Sequence, residues 1–411
     1  MDNNPQTPSP EPLPQRLGEL ARIFLRLGTV GFGGPQAHMA MQNDEVVIKR
    51  QWLTPEEFNA GLAMCEMLPG PASTQLGIYI GYVRAGMIGA LVSGFCFIAP
   101  AFVIVVLLSW GYFRFQGVPQ LTDLFLGISP VVTAIVLAFC WKLGKKSLKS
   151  WVQVLIAIAA FALLVFSKLN ILLLFAIAGL VGMAAFRPQR PKPEDSSPLK
   201  GLLLPPLPLL LGNLKAETLT LSSVWGLERI GAFALPLALF FLKVGSFIFG
   251  GGLVIIPLLE FEVVEKLQWL TRTEFINGVA IGQLSPGPVV LTAAFVGYKV
   301  AGVLGALVSA VAIFTPSFAF ILLATPILLR IRQNPWIRAF LKGVTPAVLG
   351  AIAASAIPLA QTAIGQETVL ASVATGAIGI AALVALIVYK TPTWSLIPAG
   401  ALLGLGVGAL I

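Results

Sequence analysis

Charge is what this chain has least of. Only 11% of its 411 residues are Asp, Glu, Lys or Arg, while 57% are hydrophobic; an ordinary soluble domain carries about 25% charged residues. A soluble surface cannot be covered at that density. Histidine is scarcer still: His38 stands alone, and the three cysteines, Cys65, Cys96 and Cys140, sit singly in apolar surroundings. That set builds neither metal-ligand spacing nor a disulfide framework. A nucleotide-binding loop, a Cys/His cluster and a haem ligand pair are all missing, so no cofactor is expected and a membrane-bound reductase is disfavoured. Residues Met1 to Gln15 are polar and proline-rich, with no short apolar core behind a basic start, and no cleavable signal peptide is expected.

Long apolar runs are what the chain does have. Gly86 to Tyr112, Trp151 to Ser167 and Gly302 to Leu329 approach or exceed the ~20 residues that span a bilayer as a helix. The fold class expected is an all-α polytopic membrane protein with the lipid bilayer as its first partner. A net charge of +9 would suggest nucleic acid in a soluble protein. Here much of it lies in short loops between apolar segments, where membrane topology explains it and no nucleic acid is needed.

The chain is also written twice. Leu68-Pro69-Gly70-Pro71 returns 217 residues later as Ser285-Pro286-Gly287-Pro288. Glu45 to Thr54 matches Glu262 to Thr271 at 8 of 10 positions, and Gly81 to Ser93 matches Gly297 to Ser309 at 9 of 13. The organisation expected is a tail over 1–15, a first repeat over 16–186, a charged and proline-rich linker with a short apolar stretch over 187–224, and a second repeat over 225–411. Each repeat reads as a helix ending at a glycine cluster, two shorter pieces, the Pro-Gly-Pro break, a short apolar helix and four longer ones. The short pieces leave crossing, re-entry and lying flat all open.

Charge placement sets how the repeats face. Lys142, Lys145, Lys146 and Lys149 have no basic counterpart around Gln361 to Thr368, whereas Arg330, Arg332 and Arg338 correspond to a loop holding only Arg114. Lys and Arg collect on the cytoplasmic side, so the flipped bias predicts two inverted-topology repeats with broken or re-entrant helices and a cytoplasmic linker.

Such carriers place substrate near the midplane, where half-helix ends supply partial charge. The candidate positions are Gly33, Gly34 and Gln36 in the first glycine cluster and Gly250 and Gly251 in the second. The breaks themselves are Pro69, Gly70, Pro71, Pro286, Gly287 and Pro288, where the prolines remove backbone donors. The neutral donors nearby include Ser73, Thr74 and Ser285, with Gln42, Gln75 and Thr292 around them. Arg26 and Lys243 fall at equivalent positions in apolar helices, each shortly before its glycine cluster. An intramembrane cation costs roughly 2.5–3.5 kcal/mol and marks function by default, although snorkelling to the headgroups is the bland alternative. Two cations related by a pseudo-two-fold axis suit a dianion. Glu45 and Glu262 precede Lys49 and Lys266 by four residues and read as helical ion pairs. Glu66, directly before the first break, is a candidate for proton coupling.

Phe32-Gly33-Gly34-Pro35-Gln36, Trp52-Leu53, Leu68-Pro69-Gly70-Pro71, Gly81-Tyr82 and Gly86, with Lys243, Phe249-Gly250-Gly251-Gly252, Trp269-Leu270, Pro286-Gly287-Pro288 and Gly297-Tyr298, carry a resemblance. Together they resemble the chromate ion transporter family in its long two-domain form, over essentially the whole chain outside tail and linker. The resemblance implies efflux of chromate across the bacterial inner membrane, with sulfate as competitor or alternative substrate. Where the family pattern usually has glutamine, three residues before the first Pro-Gly-Pro, this chain has Glu66. Expelling a dianion gains ~4.6 kcal/mol per 100 mV, which favours export driven by membrane potential, with or without proton exchange. A passive anion channel is the rival class. A monomer and a homodimer are both compatible with two repeats.

Overall fold

The structure, a computed structural model, describes residues 11–167, 171–186, 224–248, 252–331, 335–366 and 368–410. The linker from 187 to 223 and the glycines Gly250 and Gly251 lie outside the described residues. Among the described residues all regular structure is helical. The first half comprises α1 (Leu13–Val30), α2 (Pro35–Asn43) running into a π-helical segment (Asp44–Lys49), α3 (Pro55–Met67), α4 (Ala72–Arg114), α5 (Pro119–Ser147), α6 (Trp151–Phe166) and α7 (Ile171–Ala185). The second half passes through the same sequence of elements: α8 (Leu227–Ser246), α9 (Ile255–Leu259) with its π-helical segment (Glu260–Lys266), α10 (Arg272–Leu284), α11 (Thr292–Ile331), α12 (Pro335–Ile364), α13 (Val369–Ile387) and α14 (Thr393–Gly408). Five helices, α4, α5, α11, α12 and α13, are long and apolar enough to cross a membrane. The chain is thus a multi-pass membrane protein. Helices α6, α7 and α14, at 16, 15 and 16 residues, fall short of the ~20 that a perpendicular crossing takes.

Local sequence explains the ends of these elements. Thr54 and Thr271 each cap a helix by accepting from the backbone of Glu57 and Glu274, whose carboxylates bond back to the cap N–H. This reciprocal box leaves fewer orphan donors at the helix start. Helix α1 buries Leu20, Ile23, Phe24, Leu27 and Gly28, a stripe at i, i+3, i+4, i+7 and i+8, and leaves Arg22 and Arg26 exposed on the other face. Helix α8 repeats the stripe with Leu237, Phe240, Phe241, Val244 and Gly245. These stripes pack on α4 and α11 respectively.

Two features turn the short pieces into re-entrant hairpins. Within α4, Ala85 and Gly86 leave helical geometry, Gly86 at φ 64° and ψ −153°; within α11, Ala301 and Gly302 do the same, with Gly302 at φ 60° and ψ −153°. Beyond that bend Gly89 lies against Gly81 and Gly305 against Gly297, so the chain doubles back. The arm from Ala72 to Arg84 therefore returns to the end from which α3 set out. There Arg84 lies over Trp52 at 4.8 Å, bonds Glu19 at 3.2 Å and accepts from Arg16 at its carbonyl. The pieces flanking each Pro-Gly-Pro enter and come back. In the second half Glu274, at the start of α10, meets Lys299 at 2.6 Å. It also meets Gln116 from the α4–α5 turn at 3.3 Å, at the opposite end of α4 from Arg84.

Gly86 holds a backbone conformation that is essentially confined to glycine, with open space where a Cβ would stand. Gly86→Ala is expected to cost about 1–3 kcal/mol of backbone strain alone, read as a lower thermal-unfolding midpoint in detergent. Gly302→Ala should cost more, because its Cβ would also meet the backbone of Trp225 and Gly226.

The halves exchange their last helices. Helices α6 and α7 pack on α12, and α13 and α14 pack on α5, while α4 and α11 cross each other. The core is consequently shared between the two halves.

Candidate functional site

Each break contacts the other half of the chain. The Gly70 N–H donates to the carbonyl of Ile248, 2.6 Å away in the second half. In return, His38 Nε2 lies 3.1 Å from the carbonyl of Pro286 and also bonds that of Gly31. Carbonyls only accept, so Nε2 carries the proton and Nδ1 is the acceptor, with Ser73 Oγ 3.4 Å away as its donor. A Cβ on Gly70 would lie 2.6 Å from Ser317 Oγ of α11; one on Gly287 would strike Ala101 of α4. Each Pro-Gly-Pro therefore lies against the long helix of the other half, at a spacing that admits only glycine.

The first half supplies most of the polar groups here. His38, Gln42, Ser73, Thr74 and Gln75 are all buried. Counted on the same 217-residue shift, the second half presents Ile255, Leu259, Val290, Leu291 and Thr292 in the corresponding places, buried as well. Gln42 Nε2 donates to the Ser73 carbonyl at 3.0 Å and Gln75 Nε2 to the Pro69 carbonyl at 2.7 Å. Yet Gln42 Oε1, Gln75 Oε1, Thr74 Oγ1 and Ser317 Oγ have no partner among the described residues. Leaving a buried polar group unpaired costs about 1–3 kcal/mol, and such groups call for an explanation. Thr74 and Gln75 also stand in the first turn of α4, whose free N–H groups give the half-helix a positive end.

The other sequence candidates are distributed around this centre. Ser285 is buried and bonds the Gly282 carbonyl at 2.8 Å. Gly33 and Gln36 are exposed, and Gly34 (φ 79°) caps α2. Glu66 is exposed in the last turn of α3. Arg26 and Lys243 are not brought together: Arg26 reaches Glu45 at 3.9 Å and Lys243 reaches Glu262 at 3.1 Å. Each pair ties the outgoing arm of a hairpin to its returning arm. The helical pairs Lys49–Glu45 and Lys266–Glu262 form on the same carboxylates, at 3.1 and 3.5 Å. Burial acts to raise the Glu45 pKa, but Lys49 and Arg50 outweigh it and hold the carboxyl below its ordinary value.

Two groups escaped the sequence reading. Ser317 showed only as one of several hydroxyls along the apolar α11. Asn277 donates to the Tyr112 hydroxyl at 3.1 Å and lies 3.4 Å from Ser129 Oγ. Together with Gln116, Thr273 and Gln366 these line a cavity of about 390 Å³ at the Gln116 end of the bundle. The signal for Asn277 was an amide among apolar neighbours in the middle of α10.

The chain was compared with known proteins. A family model described as "Chromate transporter" matches twice, over residues 18–183 and 235–405. A chromate transport protein of Cupriavidus metallidurans is 36% identical over 85% of this chain and 84% of its own length. A probable chromate transport protein of Synechococcus elongatus is 34% identical over 84% and 85%. A chromate transport protein of Pseudomonas aeruginosa is 30% identical over 85% and 82%. No solved structure matches the chain.

Proposed function

Because the chain belongs to the chromate transporter family, we propose that it exports chromate across the bacterial inner membrane as a secondary transporter driven by membrane potential. The observation that carries this reading is the buried polar centre, where hairpins from both ends of the bundle meet and Thr74, Gln75 and Ser317 lack partners. Ser73, Thr74, Gln75 and Ser317, with the positive end of α4, receive the oxyanion. The Pro-Gly-Pro breaks hold the half-helices around it. Residues 16–186 and 225–411 act as inverted repeats joined by a cytoplasmic linker over 187–224, and one half rocks against the other.

The charge distribution supports the outward direction. Around the first π-helical segment Arg26, Lys49 and Arg50 face Asp44 and Glu45, which leaves one positive charge in excess. Around the second, Lys243, Lys266 and Arg272 face Glu260, Glu262 and Glu265, which leaves none. The end of Lys142 and Lys145 attracts a dianion, and the neutral cavity at the other end lets it leave.

Everted membrane vesicles carrying the chain should accumulate chromate saturably when the interior is made positive. Excess sulfate in the same assay measures competition by a dianion of similar shape. Flux that rises linearly with chromate would indicate a channel, and no uptake by demonstrably inserted protein would refute the proposal.

A further inference from the structure

A second cavity, of about 230 Å³, lies between the end of α6, the start of α7, the outer part of α12 and the second π-helical segment. Glu260 lines it and is 4% exposed. Its Oε1 has no hydrogen-bond partner among the described residues. The nearest base is Arg272, with Nε 3.8 Å from that oxygen, but the same guanidinium gives its hydrogen bond to Glu265 at 3.2 Å. Two carboxylates thus share one cation. The basic groups next along, Lys243 and Lys266, are held by Glu262. Among the described residues the remaining faces are uncharged: Leu164 and Val165 from α6, Ile171 from α7, and Ala351, Ser355 and Pro358 from α12. Ser355 directs its hydroxyl to the Ile352 carbonyl. Lys168, between α6 and α7, lies outside the described residues.

We infer that Glu260 is a proton-binding site, and that the proton it takes up through this cavity at the outer end supplies the missing positive charge and couples export to the outer pH. The coupling rests on the transport reading; the proton site does not. In the first half Asn43 stands where Glu260 stands in the second, and Ile48 where Glu265 does, so the device belongs to one end only. Glu260 lies outside the five spanning helices. Burial pushes its pKa up to about 8, with Arg272 opposing and Glu265 adding to the rise.

The proton site is tested without transport. A carboxyl whose pKa is raised on folding stabilises the fold below its ordinary pKa, and that contribution is lost as pH rises through the folded value. The thermal midpoint of the detergent-purified full chain should therefore decline from about pH 5 to just above pH 8 and then level off. In Glu260→Gln, a neutral isostere of the protonated acid, that part of the decline should vanish. Glu265→Gln restores one acid to one base and should move the decline to lower pH, which keeps the test open if Glu260→Gln does not fold. Superimposable profiles for wild type and Glu260→Gln, or an unmoved midpoint in Glu265→Gln, overturn the site.

In proteoliposomes, wild-type export should fall about fourfold between outer pH 6.5 and 8.5, the change in protonated fraction for a group titrating near 8. Glu260→Gln should not follow that fall. The titration of chromate itself is common to both proteins and cancels in the comparison. Equal pH dependence overturns the coupling; absence of any wild-type export sinks the transport reading and leaves the thermal profiles to decide the proton site.

Discussion

Leucine at Gly127 is expected to leave almost no correctly assembled protein, and leucine at Gly343 to do the same. A Cβ at Gly127 would land 2.6 Å from Gly404 N of α14, and closer still to the Gly400 carbonyl oxygen. A Cβ at Gly343 of α12 would meet the Ala178 carbonyl and Gly182, 2.8 Å from the Gly182 Cα, on α7. In both places backbone faces backbone, so no rotamer change relieves the clash and the helices must separate. Overpacking in a close-packed core costs typically 1–3 kcal/mol. Here it also removes the small-residue contact on which helix association in a membrane depends, so a loss at or above the upper figure is expected. About 3 kcal/mol is a more than hundredfold change in the folded-to-unfolded ratio. The readout is the yield of a single monodisperse peak after mild detergent extraction. Gly144→Ala is the control, since its Cβ would sit at an ordinary 3.5 Å from Leu349. Wild-type yield and melting from Gly127→Leu would show that α5 and α14 do not pack as described.

That pairing of α5 with α14 and α12 with α7 is also where reading the sequence stopped short. Helix ends were legible because their causes are local: proline at 69 and 71 removes donors. The match of Glu45 and Lys49 to Glu262 and Lys266 predicted ion pairs that form. Nothing local says which helix a stripe of alanine and glycine faces, and the exchange of last helices between halves is a long-range fact. Arg26 shows the same limit. Its apolar context and its counterpart Lys243 marked both as charge holders for an anion. The partner that each finds, Glu45 or Glu262, is 19 residues away and comes within reach only because the chain doubles back. His38 stands alone in the sequence. It is satisfied, but by Pro286 from the other half, so it also links the two breaks. Ser317 is one of several hydroxyls along α11, Thr315 among them, and a hydroxyl in an apolar helix most often bonds its own backbone.

Ser317 and Thr74 carry the second large prediction, in which stability and transport move in opposite directions. Both hydroxyls are completely buried and unpartnered among the described residues. Replacing such a group by an apolar one of the same shape is nearly neutral or stabilising, because an unpaid desolvation cost disappears. Thr74→Val and Ser317→Ala should therefore melt at or above the wild-type temperature. If the hydroxyls are kept to bind an oxyanion, each removes a hydrogen bond to a charged group, about 1.5–3 kcal/mol, and chromate export at subsaturating substrate should fall about 10- to 100-fold for either variant. The double variant should lose more, with KM rising before the maximal rate falls if the contact is made in the bound state. Thr315→Val is the matched control: its exposed hydroxyl bonds the Val311 carbonyl of its own helix at 2.7 Å, and export should be unchanged. A purely structural role for Thr74 and Ser317 predicts the reverse pattern, lower melting with transport per folded molecule intact. Only a binding role leaves a better-folded protein that carries less chromate.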